Sequence, residues 1–200
     1  MRDEIRSVGY GLLPLLLILT VLVTLPFHVF GQSAQTDSSY NNNANGYVVF
    51  VPANWNKIES EYTALKGGTV NRVILIQTTD IVSRPTKYFL MLSGKPGSIF
   101  GLSDSVVQRV TQDQLVNFYI DQYENSSIDY QVSKTYTTGT GENKVYVIEA
   151  SEAAPGYRAF SVTHIQFKKG KVYVWYMWYL STFSTYAPLL QKISDSVQIM

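Results

Sequence analysis

Groups that could act as a general base are scarce in this chain. It contains two histidines, His28 and His164, and no cysteine. His28 lies in an apolar N-terminal segment, and His164 lies in the strand-like run Ser161–Gln166. Nucleophilic catalysis by Ser or Cys needs a base beside the nucleophile with a pKa near neutral. Because a histidine in this strand setting is typical of a structural role, we predict no catalytic residue.

The carboxylates do not form an evident site. The densest group is Asp113, Asp121, Glu124 and Asp129, along one predicted helix and just after it. Metal sites gather His, Cys or carboxylates at defined spacings, whereas this group is typical of a solvated helix face. We therefore predict no metal and no cofactor, although the sequence leaves open a glycosidase with two opposed carboxylates.

Three features could serve binding or modification. Residues 172–180 are apolar at successive positions, which favours a central strand covered on both faces. The alternative is an aromatic binding face formed by Tyr173, Trp175, Met177 and Tyr179. A basic cluster, Lys168, Lys169 and Lys171, is best explained by a solvated hairpin turn around Gly170. Asn125 begins an Asn-Ser-Ser acceptor pattern and is the predicted glycosylation site.

The elements that would position these residues alternate between strands and turns. Apolar and β-branched runs predict seven strands, and two segments with helical spacing predict two helices. The first helix begins at Thr111, where Thr-Gln-Asp-Gln fits a capping box. The predicted strands cover residues 47–51, 70–78, 87–92, 128–136, 144–149 and 157–180, the last with a turn at 169–170, and the second helix ends near 196. Short turns between successive strands indicate an antiparallel meander.

The N-terminal segment is predicted to target the chain to a membrane. Leu12–Leu25 is almost entirely apolar, and the nearest basic residues, Arg2 and Arg6, precede it. Residues 1–31 are therefore predicted to be a signal peptide, cut before Gln32 or after Ala34, or else an uncleaved membrane anchor. In both cases the remaining chain lies outside the cytoplasm. Residues 32–46 are predicted to be a flexible polar linker, and residues 47–200 to form one domain.

Composition limits the classes of partner. The formal net charge is +1, which gives no electrostatic reason to expect nucleic acid. The absence of cysteine excludes a disulfide framework and a thiolate metal site. We expect a protein partner or a cell-envelope component, with membrane contact only through the N-terminal segment if that segment is uncleaved.

Several local phrases carry a resemblance to a known family. They are Tyr47-Val-Val-Phe-Val-Pro-Ala-Asn-Trp55, Thr138-Gly-Thr-Gly-Glu-Asn-Lys-Val-Tyr-Val-Ile148, Gly170-Lys-Val-Tyr-Val-Trp175 and the closing run Tyr186–Ile199. With the order of elements, these phrases resemble the PsbP-like family, exported relatives of an extrinsic photosystem II subunit. The resemblance implies an α+β fold: an α/β/α sandwich with helices on both faces of an antiparallel sheet.

The same resemblance implies a noncatalytic binding role. The family's photosystem members attach through a basic N-terminal extension, but residues 32–46 contain no Lys or Arg. We therefore interpret the chain as an exported, nonphotosynthetic prokaryotic member of the PsbP-like family. Archaea are among the prokaryotic hosts that this interpretation allows. The predicted function is an extracytoplasmic binding or assembly-supporting protein. The alternative is an exported hydrolase or small-ligand carrier with an unrecognised site.

Overall fold

The computed structural model describes residues 36–64, 67–77, 86–124 and 129–200. Within these ranges the strands are β1 (Ser38–Asn42), β2 (Tyr47–Val51), β3 (Asn56–Thr63), β4 (Thr69–Ile76), β5 (Lys87–Gly94), β6 (Asp129–Thr138), β7 (Val145–Ala154), β8 (Tyr157–Lys168), β9 (Lys171–Leu180) and β10 (Gln198–Ile199). The helices are α1 (Pro96–Phe100), α2 (Asp104–Val107), α3 (Gln112–Glu124) and α4 (Ala187–Asp195). Two 3-10 turns cover Gly141–Asn143 and Ser181–Tyr186.

Seven strands form one antiparallel sheet in the order β3-β4-β5-β9-β8-β7-β6. β9 lies at its centre, between β5 and β8, and all its side chains from Val172 to Trp178 are buried. A strand that is covered on both faces does not alternate apolar and polar residues. The prediction of a central strand in this position is therefore confirmed.

One face of the large sheet, here called the helical face, lies under α1, α2 and α3. These helices occupy the connection between β5 and β6. The core on this face joins strand residues to helix residues, among them Ile74, Leu90, Tyr176, Trp178, Phe100, Leu102, Leu115 and Val116. The connection therefore supplies a complete covering layer for this half of the core.

The opposite face, here called the mixed face, lies under α4 and a small sheet of order β1-β2-β10. Residues of β2 and α4 pack on alternate residues of the large sheet, including Tyr47, Val49, Leu190, Ile193, Leu75, Met91 and Trp175. Helices therefore lie on both faces of an antiparallel sheet. The predicted α+β sandwich is confirmed, with a small sheet as an additional part of one layer.

The prediction of a flexible linker over residues 32–46 is wrong from Ser38 onward. Ser38–Asn42 forms β1, which pairs along its whole length with β2. The Asn42 amide Nδ2 donates to the hydroxyls of Tyr40 and Tyr47 at 3.0 and 3.2 Å, and Asn42 Oδ1 accepts from the Asn45 backbone N–H at 3.1 Å. Polar side chains that find such partners can be ordered despite a composition typical of a solvated tether.

The predicted N-terminal signal or anchor lies outside the described residues, as does the predicted glycosylation site Asn125. Among the helices of the described ranges, none combines the length and the apolar character needed to cross a membrane. The domain boundaries at residues 31 and 47 thus stay predictions, apart from the strand at 38–42.

Candidate functional site

An open cleft lies at one end of the helical face, between the helical layer and two turns of the large sheet. Its volume is about 450 Å³. It is lined by Pro96, Val107, Val110, Gln112, Leu115, Gly141, Glu142, Phe167, Lys168, Lys169, Gly170 and Lys171. We call this feature the lysine cleft. Its size falls in the range of small-molecule sites, roughly 300–1,000 Å³.

The β8–β9 turn fixes the three lysines of the cleft. Lys169 and Gly170 have φ values of 52° and 74°, and a two-residue turn with both φ values positive matches the right-handed twist of a hairpin. Lys168 Nζ donates to the backbone oxygen of Ile199 at 2.8 Å and to Asn143 Oδ1 at 3.4 Å. The turn therefore fixes the backbone of the three lysines, and the Lys168 ammonium group lies on the mixed face, where it fastens β10.

The first turn of α3 forms the facing wall. The Thr111 backbone N–H donates to Gln114 Oε1 at 2.8 Å, and the Gln114 N–H donates to Thr111 Oγ1 at 3.2 Å. This reciprocal pair confirms the predicted capping box. It starts α3 at Gln112, whose exposed side chain borders the cleft, while Leu115 in the same turn faces the apolar floor.

The charges around the cleft are unbalanced. Ion pairs among the described residues join Lys57 to Glu59, Lys144 to Asp113 and Lys192 to Asp37, and none of them includes a cleft lysine. Glu142 is the single acidic residue in the lining. The lining combines the backbone of a basic hairpin turn with apolar side chains. It places no histidine and no pair of carboxylates there, so it lacks the groups of a hydrolytic site.

Sequence reasoning identified the three lysines but assigned them to solvent. The turn around Gly170 is confirmed. The facing wall was missed, because α1 and α2 were not predicted. Pro96 at the first position of α1 was the available signal, since proline favours that position.

A buried acid lies elsewhere on the helical face. Glu152 is 8% exposed, and its two carboxylate oxygens accept hydrogen bonds from the Tyr176 hydroxyl at 2.8 Å and Trp178 Nε1 at 3.1 Å. Burial raises the pKa of the Glu152 carboxyl, and the two hydrogen bonds oppose that rise. No sequence signal pointed to this residue, because its partners come from β9, far along the chain.

His164 lies on the mixed face and is partly buried. Its ring stacks on Trp175 with the centroids 5.1 Å apart, and its Nδ1 lies 3.5 Å from Ser194 Oγ. Ser194, a buried residue of α4, accepts a shorter bond from Trp175 Nε1, at 3.0 Å. Burial lowers the pKa of His164 to about 4, so the imidazole is neutral at pH 7. These contacts are consistent with the structural role predicted for His164.

The alternative of an aromatic binding face on β9 is wrong. Tyr173, Trp175 and Met177 are at most 5% exposed, because β2 and α4 cover them. Tyr179, nearer the end of the strand, is partly buried and packs on Phe160 with ring centroids 5.7 Å apart. The four side chains belong to the mixed-face core and its margin.

The predicted solvated acids stay apart from any metal-like arrangement. Asp113 is exposed and pairs with Lys144 at 3.3 Å. Asp121 and Glu124 lie on the exposed side of α3, and Asp129 starts β6. Within the described part of the chain, no group of three or more His, Cys, Asp or Glu side chains could hold a metal ion.

Comparison with solved structures identifies a fold relative. The chain is similar to cyanobacterial PsbP (CyanoP) from Synechocystis sp. PCC 6803, with a TM-score of 0.58 and 9% sequence identity, over 87% of this chain and 98% of that chain. LpqN, described as involved in cell envelope biogenesis of Mycobacterium tuberculosis, gives a TM-score of 0.43 and 15% identity over 82% of this chain and 90% of LpqN. No protein-family model and no curated protein sequence matches the chain. The likeness to CyanoP confirms the predicted PsbP-like fold.

Proposed function

We propose that this protein is a noncatalytic binding module that acts outside the cytoplasm and supports the assembly of, or attaches to, a cell-envelope component or a protein partner. One observation carries the proposal. Glu152 is buried in the helical-face core and His164 is partly buried against Trp175, whereas the lining of the open lysine cleft contains no histidine and a single carboxylate, Glu142. A cleft with no histidine and no pair of carboxylates in its lining is better suited to holding a ligand than to hydrolysis.

The likeness to a cyanobacterial PsbP supports this proposal as an analogy between folds, since one fold serves many functions. The further assignment, an exported and nonphotosynthetic prokaryotic member with archaeal hosts included, rests on the sequence of residues 1–46. Nucleic acid is not expected as a partner, because the formal net charge is +1.

Export is tested on the protein isolated from its own host. Intact-mass measurement and N-terminal sequencing should find a species that begins at Gln32 or Gln35, or a full-length species in the membrane with its domain on the outer side. A full-length species that starts at Met1 and accumulates in the soluble cytoplasm would refute an extracytoplasmic role.

Binding through the cleft is tested by placing a photo-crosslinking residue at Gln112, on the rim. The matched control carries the same residue at the exposed Gln131, on β6 at the edge of the sheet. Irradiation of living cells should give a discrete adduct of defined mass from position 112 and none from position 131. Equal labelling from both positions would contradict a binding role for this cleft.

The carrier alternative is favoured by the volume of the cleft, about 450 Å³. The hydrolase alternative has one contact in its favour, the Ser194–His164 approach at 3.5 Å. It requires the buried Ser194 to become accessible. Ester or glycoside turnover that disappears in Ser194→Ala, with the fold intact, would replace the noncatalytic proposal.

A further inference from the structure

We propose that the outer edge of β6 pairs with the same edge of a second copy of this chain, in an antiparallel arrangement centred on Tyr136. The contact joins two large sheets edge to edge. It lies apart from the lysine cleft and adds an interaction beyond the proposed function. Three features of β6 support it: the edge is free, its sequence lacks the charges that block pairing, and its centre is self-complementary.

The outer edge of β6 is open to a further strand. β6 is the last strand of the large sheet, so its outer row of backbone N–H and C=O groups pairs with no other strand of the described residues. Residues 133–138 are all exposed. Tyr136, within this stretch, is 37% exposed and is one of the few large apolar side chains that the described residues leave exposed. The end of β6 therefore offers both a backbone edge and an aromatic ring to a partner.

The two edges of the large sheet differ in charge. β3, the opposite edge, carries Lys57, Glu59 and Glu61 within eight residues. Charged side chains of this kind are a common protection against edge-to-edge pairing. The last part of β6, Lys134-Thr-Tyr-Thr-Thr138, carries one charge and otherwise only β-branched and aromatic side chains, which favour strand formation. Of the two edges, β6 is therefore the one suited to accept a strand.

Two backbone features limit the stretch of β6 that can pair. A β-bulge leaves Ser133 outside the register between β6 and β7, and Gly139, with a φ of 69°, follows the end of the strand. Because a bulge bends its strand, Gln131 lies outside the stretch that pairs. The regular segment between these features is residues 134–138, and its middle residue is Tyr136. A two-fold axis at Tyr136 therefore pairs the whole regular segment with its copy.

The sequence around Tyr136 suits this axis. Thr135-Tyr136-Thr137 reads the same in both directions, so Tyr136 faces Tyr136 of the second copy, and Thr135 faces Thr137. Lys134 faces Thr138, which leaves no like charges directly opposite each other. Threonine pairs and aromatic pairs across strands are favourable, and diagonal neighbours are within reach of long side chains. The Lys134 ammonium group lies 4.6 Å from the centre of its own Tyr136 ring, so it can also approach the ring of the second copy.

A second copy accounts for this pattern better than a peptide from another protein does, because a foreign peptide places no requirement on the symmetry of the edge. The paired stretch is short, so the contact is smaller than a standard interface of about 1,600 Å². Small interfaces are weak, and we expect a dissociation constant of about 1–100 µM for the dimer.

The association is measured by sedimentation velocity on the protein in the form that accumulates in its host, over concentrations of about 1–300 µM. We expect a shift from monomer to dimer as the concentration rises. Thr135→Lys combined with Thr137→Lys places like charges directly opposite across the axis and should raise the dissociation constant by about tenfold or more. The matched control is Thr182→Lys combined with Thr185→Lys, at exposed positions of the 3-10 turn before α4, and it should leave the constant unchanged. Both double variants should keep the far-ultraviolet circular dichroism of the wild type.

The register is measured with single cysteines, since the chain has none of its own. A short bis-methanethiosulfonate linker is added to Tyr136→Cys, to Thr138→Cys and to the control Thr63→Cys, at an exposed position of the opposite edge strand, β3. The two copies of residue 136 face each other, whereas the two copies of residue 138 are offset by four residues, about 14 Å along the strands. Tyr136→Cys should therefore form linked dimers much faster than the other two variants.

A protein that stays monomeric over the whole concentration range would overturn the pairing of β6 edges. A dimer that the Thr135 and Thr137 changes leave unaffected would overturn it as well. Equal linking from the three cysteines would indicate random collision and would refute the axis at Tyr136. None of these results involves the lysine cleft or export, so the proposed function would stand or fall by its own tests.

Discussion

Both faces of the large sheet are covered, but the polar groups that contact the tryptophans differ between the two faces. On the helical face, Trp178 of β9 donates to a buried acid, Glu152. On the mixed face, Trp175 of the same strand stacks on a neutral base, His164, and donates to Ser194. Successive side chains of a strand point to opposite faces, so one aromatic strand serves two interiors with opposite titration behaviour.

The two faces of the large sheet also differ in how openly they are exposed to solvent. The mixed face is closed by α4 and by the small sheet, whose last strand, β10, is fastened by Lys168. The helical face opens at one end into the lysine cleft. The partly buried imidazole thus lies on the face covered by α4 and the small sheet, whereas the open cleft lies on the helical face.

The largest expected effect comes from removing either tryptophan. Trp175 and Trp178 are 5% and 7% exposed, so each change to Ala should lower the free energy of unfolding by about 3–5 kcal/mol through lost transfer energy and a cavity. Chemical denaturation of the two single variants measures this. Near-wild-type stability of both would contradict the sandwich with two covered faces.

Replacing each tryptophan by phenylalanine compares the hydrogen bonds of the two faces more directly. Trp178→Phe removes one donor from Glu152, whereas Trp175→Phe removes the donor to Ser194 and keeps a ring beneath His164. Because an unsatisfied buried carboxylate costs more than an unsatisfied hydroxyl, Trp178→Phe should be the more destabilising of the two. The reverse order would argue against an ionised, desolvated Glu152.

The next largest effect is a dependence on pH from His164. Its pKa in the folded protein is about 4, below the ordinary 6.5, so the folded state binds fewer protons than the unfolded state between these values. Its contribution is therefore fully present above pH 6.5 and is lost as the pH falls towards 4, a change of about 3 kcal/mol. Denaturation curves of wild type and His164→Phe across this window should differ by that amount. Parallel curves of stability against pH for wild type and His164→Phe would contradict the lowered pKa of His164 and, with it, the difference in titration between the two faces.

A smaller loss of stability is expected from a change in the small sheet, which lies only on the mixed face. Asn42 is 8% exposed and bonds Tyr40, Tyr47 and Asn45. Asn42→Ala should cost about 1–3 kcal/mol by leaving buried polar groups without partners. Hydrogen exchange should increase in β1 and β2 and stay unchanged in α3. The exposed Asn41→Ala is the matched control, and a similar loss from it would refute the network as the cause.

Much of the sheet follows from local sequence, but the covering layers do not. β9 could be predicted because seven successive apolar residues need two covered faces, and α3 because its capping box lies within four residues. β1 was missed because its order depends on pairing with β2, which its polar composition does not indicate. Glu152 and the cleft were missed for the same reason: their neighbours come from distant strands and from α1 and α2, whose few residues carry little periodic signal.

The smallest effect should be a pH dependence from Glu152 with the sign opposite to that of His164. Burial raises the pKa of its carboxyl above the ordinary 4.5, so the folded state binds more protons than the unfolded state above that pH. The free energy of unfolding should therefore fall as the pH rises from 4.5 through the folded pKa, and Glu152→Gln should remove this slope. The effect is limited because Tyr176 and Trp178 still stabilise the carboxylate. The same change at Glu149, on the same strand but the other face, is the control. If Glu152→Gln instead lost stability equally at all pH values, the carboxyl would have the same pKa in the folded and unfolded states, and the contrast between an acidic and a basic interior would fail.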